Sequence, residues 1–89
     1  MVTAIILLNV ERAWINEVAE KLAGMEEISE VYSVSGSYDL VAIVRVAAND
    51  DLADLVTRKL VTVDHVLHTE TMLAFRAYSR HDLESMFFA

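Results

Sequence analysis

Residues 31–46 read VYSVSGSYDLVAIVRV. Val31 to Val34 alternates apolar with polar, and Tyr38 to Val46 is almost wholly apolar. Runs with a period near two, rich in β-branched and aromatic residues, read as strands. The Ser35-Gly36-Ser37 turn between them makes the pair a hairpin. Gly36 is one of two glycines in a chain without proline. Its place predicts a backbone with positive φ, or one that something approaches closely.

Upstream, Val2–Val10 (VTAIILLNV) reads as a strand that is apolar on both faces: Val2, Ala4, Ile6 and Leu8 on one, Ile5 and Leu7 on the other. Tyr38–Val46 repeats the pattern, with Leu40, Ala42, Val44 and Val46 opposed to Val41 and Ile43. A sheet with one wet face alternates cleanly, so both strands expect cover on both sides. Between the first strand and the hairpin, Arg12–Ala23 has a helical period. Trp14, Val18 and Leu22 fall at i, i+4 and i+8, and Gly24 stands where a C-terminal cap belongs. Glu26-Glu27 reads as a solvated bend before a strand over Ile28–Ser35.

Downstream, Asn49-Asp50-Asp51 supplies a helix cap and two carboxylates for the positive end of a helix over Leu52–Leu60. Leu52, Leu55, Val56 and Leu60 form its inward stripe. Val63–Arg76 is the last strand, alternating as Leu67, Thr69, Thr71, Leu73. Ser79-Arg80-His81-Asp82 has capping-box spacing and predicts a short final helix carrying Leu83, Met86 and Phe87.

The order β-α-β-β-α-β predicts an α+β, ferredoxin-like fold: four antiparallel strands with two helices on one face. That fold leaves the second sheet face bare. The two doubly apolar strands expect the sheet of a second copy there, which makes the assembly a homodimer, a dimeric α/β barrel. Composition agrees. Of 89 residues 55% are hydrophobic and mean hydropathy is +0.38, more apolar surface than so small an interior hides.

Several function classes are excluded on the same grounds. No apolar run approaches the ~20 residues of a membrane span. Met1-Val2-Thr3 lacks the features of a signal peptide, and there is no cysteine. A cytoplasmic protein without membrane contact is expected. Net charge is −7 with seven scattered Lys and Arg residues, which opposes direct nucleic-acid binding. No nucleophile constellation or phosphate-cradling loop is present, so neither catalytic residues nor a cofactor are expected. His65 and His68, three apart on a strand, point to opposite faces, so no metal site is expected either.

The turn Gly36-Ser37-Tyr38-Asp39 carries a resemblance. Val31-x-x-Val34-x-Gly36-x-Tyr38-Asp39-Leu40, the run into Arg45, and His68-Thr69-Glu70-Thr71 on the last strand resemble the effector-binding domain of the Lrp/AsnC family of regulators. The likeness covers residues 1–76 and leaves 77–89 as a tail. It implies dimers joined through their sheets and a further ring of four dimers, an octamer. It implies a small effector, usually an amino acid, bound at the junction between dimers. The loop Gly36, Ser37, Tyr38 and Asp39 holds that ligand, and Thr69, Thr71 and Met72 contribute from the last strand. Family members usually carry an N-terminal helix-turn-helix, and this chain begins at its first strand. It therefore looks like a stand-alone domain, with a full-length regulator of the family as a hetero-assembly partner.

The residues fit a zwitterionic ligand. Backbone N–H groups around Gly36-Ser37 suit a carboxylate, Asp39 suits an ammonium, and the hydroxyls of Thr69 and Thr71 suit orientation. Other readings stand beside this one. Gly36–Asp39 also reads as a plain hairpin turn with Asp39 satisfying turn N–H groups. Dimeric ferredoxin-like barrels also include small enzymes, cofactor-free monooxygenases and isomerases, in which Trp14, Tyr32, His65 or His68 would line an internal pocket. ACT-like sensing subunits share the fold as well.

Overall fold

The computed structural model describes residues 1–78 and 80. Strand β1 spans Val2–Val10, and a 3-10 turn over Arg12–Trp14 leads into helix α1, Ile15–Ala23. Strands β2 (Ile28–Ser33) and β3 (Leu40–Val46) form the hairpin. Helix α2 (Asn49–Asp54) continues through a π-helical turn, Leu55–Lys59, and a 3-10 turn, Leu60–Thr62. Strand β4 is Val66–Ala74. The expected final helix, with Leu83, Met86 and Phe87, lies outside the described residues.

The sheet is fully antiparallel in the order β2-β3-β1-β4. With both helices this is the expected α+β, ferredoxin-like arrangement. Alternate residues of the central strands face the helices: Ala4, Ile6, Leu8 and Val10 from β1, and Leu40, Ala42, Val44 and Val46 from β3, are all buried. Val18 and Leu22 of α1 and Leu55 and Leu60 of the second helical segment close that layer. The other face carries Ile5 and Leu7 opposite Ile43 and Val41. These four are half-buried, and none packs on the core.

Four local expectations are corrected. Trp14 does not share the α1 stripe. Residues 12–14 wind at three per turn, which rotates Trp14 off the 3.6-residue period, and it is 42% exposed. The cap of α2 is Ala48 rather than Asn49, in extended backbone (φ −143°, ψ 161°). Its N–H donates to the Asp51 carboxylate at 3.2 Å. The second helix does not stay α-helical to Leu60. Leu60 N–H reaches back five residues to Leu55 O, a wider turn that suits two buried leucines five apart. The edge strands are also shorter than expected. β2 stops at Ser33, and β4 begins at Val66; its register with β1 shifts between Asn9 and Val10, leaving Leu67 as the extra residue of a bulge.

Candidate functional site

The β2–β3 loop folds back over the C-terminal end of β1. Val34 N–H donates to Asp39 O at 3.0 Å and closes the loop, and Asp39 N–H donates to Leu8 O at 2.9 Å. Two side chains add to this. Asn9 donates through Nδ2 to Ser37 O at 2.8 Å, and Asp39 Oδ2 accepts Val10 N–H at 2.9 Å. Gly36 has φ +113°, a conformation that L side chains rarely adopt, and the space where a Cβ would sit is open to 4 Å. The expectation for this glycine holds. The N–H groups of Ser35, Gly36, Ser37 and Tyr38 find no acceptor among the described residues. They form a short run of free donors on an exposed turn.

Tyr38 crosses from the loop to β4, where its hydroxyl donates to the Glu70 carboxylate. That hydrogen bond, with burial and the charge of Glu70 behind it, holds the Tyr38 hydroxyl above its ordinary pKa. Glu70 is a candidate that motif reading did not single out. It stands 32 positions from Tyr38, and only the register of β4 on β1 brings the two together.

The β4 residues named from sequence divide between two faces. Register sets Thr69 opposite Leu8 and Thr71 opposite Ile6, on the helix side. Glu70 lies opposite Leu7 and Met72 opposite Ile5, on the outer face. The loop, Glu70 and Met72 therefore gather at the outer face and the end of β1. Thr69 and Thr71 lie across the sheet. Thr69 instead helps to line a cleft of about 230 Å³ with Leu60, Val61, Val66, Leu67 and His68, polar and apolar in nearly equal measure.

Two further groups lie elsewhere. His65 precedes β4 with φ +72°, the one non-glycine residue with positive φ among those described. Its ring stacks on Trp14 (centroids 4.0 Å apart, planes 3° apart), and Nδ1 lies 2.9 Å from Glu11 Oε2. Tyr32 is exposed, with its hydroxyl on Glu30. Glu27 is not the solvated bend expected. Its carboxylate pairs with Lys59, and the side chain is only 17% exposed. The hydrogen bond from Lys59 draws the Glu27 carboxyl below its ordinary range and raises Lys59 above its own. No group of three or more His, Cys, Asp or Glu suited to a metal ion occurs among the described residues, and no helix among them is long and apolar enough to cross a membrane.

A family model for the Lrp/AsnC ligand-binding domain matches residues 3–83. The chain is 39% identical over 67 residues to YugG, an uncharacterized HTH-type transcriptional regulator of Bacillus subtilis, covering 75% of this chain and 40% of that one. It is 31% identical over 77 residues to FL11, an HTH-type transcriptional regulator of Pyrococcus furiosus, covering 86% of this chain and 50% of FL11. The chain thus spans half or less of these two regulators. Among solved structures, TTHA0845 of Thermus thermophilus superposes with a TM-score of 0.83 at 42% identity, over 90% of this chain and 100% of that one. With the family model running through all four strands and both helices and the fold shared at this level, the chain belongs to the Lrp/AsnC ligand-binding domain family.

Proposed function

We propose that this domain binds a small effector, an amino acid or a close relative, and acts through the assembly of copies rather than by contacting DNA itself. The observation that carries the reading is the turn 35–38, four consecutive N–H groups without an acceptor among the described residues, on the loop whose Tyr38 hydroxyl reaches the Glu70 carboxylate. An amino acid presents a carboxylate and an ammonium a few ångströms apart. Free amides in a turn receive the first, and Glu70 is placed to take the second by a charge-assisted bond. Asp39 already accepts Val10 N–H through one oxygen, so its role in this reading is to hold the loop, with its second oxygen open to the ligand. Met72 borders the same face, and Thr69 and Thr71 enter only where another copy completes the site.

The outer face supports a homodimer. Ile5, Leu7, Val41 and Ile43 form a continuous apolar square in register, with Met72 at its β4 side and neither α1 nor α2 packed on it. Burying such a face stabilises a pair of copies by ~25 cal/mol for each Å² of apolar surface removed from water. A ring of such dimers, and mixed assembly with a full-length regulator of the family, follow in this reading as the states an effector biases. It does so only as far as its affinities for them differ.

The enzyme reading needs a polar group aimed into an enclosed interior. Among the described residues the buried set is wholly apolar, and Trp14, Tyr32, His65 and His68 all lie at the surface or half-buried, which favours the binding module. A thermal-shift screen against the twenty amino acids tests the proposal. A ligand at ~100 times its Kd stabilises by about 2.7 kcal/mol, a shift of several degrees for a domain of this size. A selective shift lost in Glu70→Ala supports the reading, and no shift from any of the twenty overturns it.

A further inference from the structure

Val10 and its neighbour Glu11 are held by two different parts of the chain. The Val10 N–H donates to the Asp39 carboxylate of the β2–β3 loop at 2.9 Å. The Glu11 N–H donates to His65 O at 2.9 Å, and Glu11 O accepts the Trp14 N–H at 2.8 Å. The Glu11 carboxylate lies 2.9 Å from His65 Nδ1, and the His65 ring stacks on Trp14. The N–H, the C=O and the carboxylate of Glu11 thus all serve one clasp, which ties the start of α1 to the entry of β4. The β1–β4 register shifts between Asn9 and Val10, and a ladder is locally disrupted at such a shift. The end of β1 therefore takes its position from Asp39 on one side and from the clasp on the other.

We propose that this clasp is the far end of a relay from the effector loop: Asp39, Val10, Glu11 and His65 couple occupancy of the loop to the packing of Trp14 at the start of α1. For what binds, the relay rests on the proposed function; the coupling itself belongs to the ligand-free chain. Coupling needs an element with two arrangements that both ends bias, and His65 is that element. Its φ of +72° is one that a non-glycine residue keeps only while its surroundings hold it. With the ring stacked and Nδ1 on Glu11, the backbone is held. With the ring released, it relaxes to negative φ and carries His65 O away from the Glu11 N–H. An effector that fastens the loop keeps Asp39 on Val10 and favours the held state. An open clasp leaves the end of β1 loose and weakens the loop, and each end favours the other by the same factor. The loop's tie from Tyr38 to Glu70 touches neither Val10 nor Glu11 and lies off this path. The signal passes round the end of β1, from the loop at the outer face to the helix layer.

The test needs no ligand, so its failure is distinct from a failed effector screen. Trp14 is the one tryptophan, and acrylamide quenching of its fluorescence reads its exposure. Asp39→Ala leaves the Val10 N–H without its acceptor and should raise the quenching constant. Asp39→Asn, which keeps an accepting oxygen, should restore most of the wild-type value. Tyr38→Phe loosens the loop at Glu70 instead and should leave Trp14 unchanged. Amide hydrogen exchange followed by NMR reads the opposite direction. His65→Ala should speed exchange at the Val10 and Asp39 amides about fivefold or more, relative to the Ala42 and Val44 amides of β3. His65→Gly, which takes positive φ without strain, should speed it less. Circular dichroism verifies that each variant folds, and if Asp39→Ala does not, exchange in His65→Ala decides alone. Wild-type quenching in folded Asp39→Ala, or an equal rise in Tyr38→Phe, overturns the relay. So does an equal speeding of all four amides in His65→Ala, which reports only a loss of overall stability.

Discussion

The carboxylate of Asp39 accepts the backbone N–H of Val10 at 2.9 Å, and the Asp39 N–H is itself bonded to Leu8 O. One loop residue therefore satisfies the end of β1 twice. Replacing it by alanine leaves a part-buried N–H without a partner, which costs about 1–3 kcal/mol. Urea denaturation of Asp39→Ala should show that loss, and Asp39→Asn, which keeps an accepting oxygen, should recover most of it. Effector affinity is best compared in the asparagine variant, where the loop remains closed.

The two glycines should respond in opposite directions. Gly24 ends α1 with right-handed helical angles (φ −80°), and an added Cβ would meet only ordinary contacts at 3.5 and 3.7 Å. Gly24→Ala should stabilise by about 0.4–1 kcal/mol by restricting the unfolded chain. Gly36→Ala forces a side chain onto φ +113° and should destabilise by more than that amount. A pair of thermal melts decides both.

His65 holds a left-handed backbone with no glycine to ease it. Its ring recovers some of the strain through the stack on Trp14 and the contact with Glu11. His65→Ala keeps the strain and loses the stack, while His65→Gly loses both. The glycine variant should be more stable than the alanine variant by about 1 kcal/mol. The chain has one tryptophan, so its fluorescence should change in both variants, and the ordering of their melting temperatures checks the claim.

The pair Glu27–Lys59 sets a pH window. The Glu27 carboxyl is lowered from 4.5 and the Lys59 ammonium raised from 10.5 in the folded chain. The carboxylate contribution is complete above the unfolded value and is lost as pH falls through the lower folded value. The ammonium contribution is complete below its unfolded value and is lost as pH rises through the higher folded one. Lys59→Met should therefore lower the melting temperature by a roughly constant few degrees between about pH 5 and pH 10. The difference should close at both extremes. The lysine is half exposed, so added salt should shrink the gap.

Leu55 is fully buried at the start of the π-helical turn. Leu55→Ala should cost about 2–5 kcal/mol, readable as a fall in the urea midpoint.

The architecture was legible because β1 and β3 are apolar on both faces and α1 keeps a helical stripe through Val18 and Leu22. The positive φ of Gly36 followed from its place in a Gly/Ser turn. The departures share a cause. Trp14 left the stripe because three residues per turn replaced 3.6, and the widened turn at Leu55–Leu60 answers a packing demand that periodicity does not encode. At the loop, motif spacing located Gly36–Asp39. Its contacts with Asn9 and Val10 on β1 and Glu70 on β4 span 28 to 32 positions and depend on strand order. The split of Thr69 and Thr71 from Glu70 and Met72 was legible in the strand alternation, and the pairing of β4 on β1 decides which of the two rows faces the helices.

The antiparallel rungs that join the first strand to the last set Thr3 beside Ala74. A tension applied between Thr3 and Ala74 loads that ladder at its end, so the rungs break in sequence rather than all together in shear. The sheet should open like a zipper at low force however stable it is to heat or urea. When tethered at those two positions in an optical trap, the domain should yield well below a topology whose terminal strands run parallel.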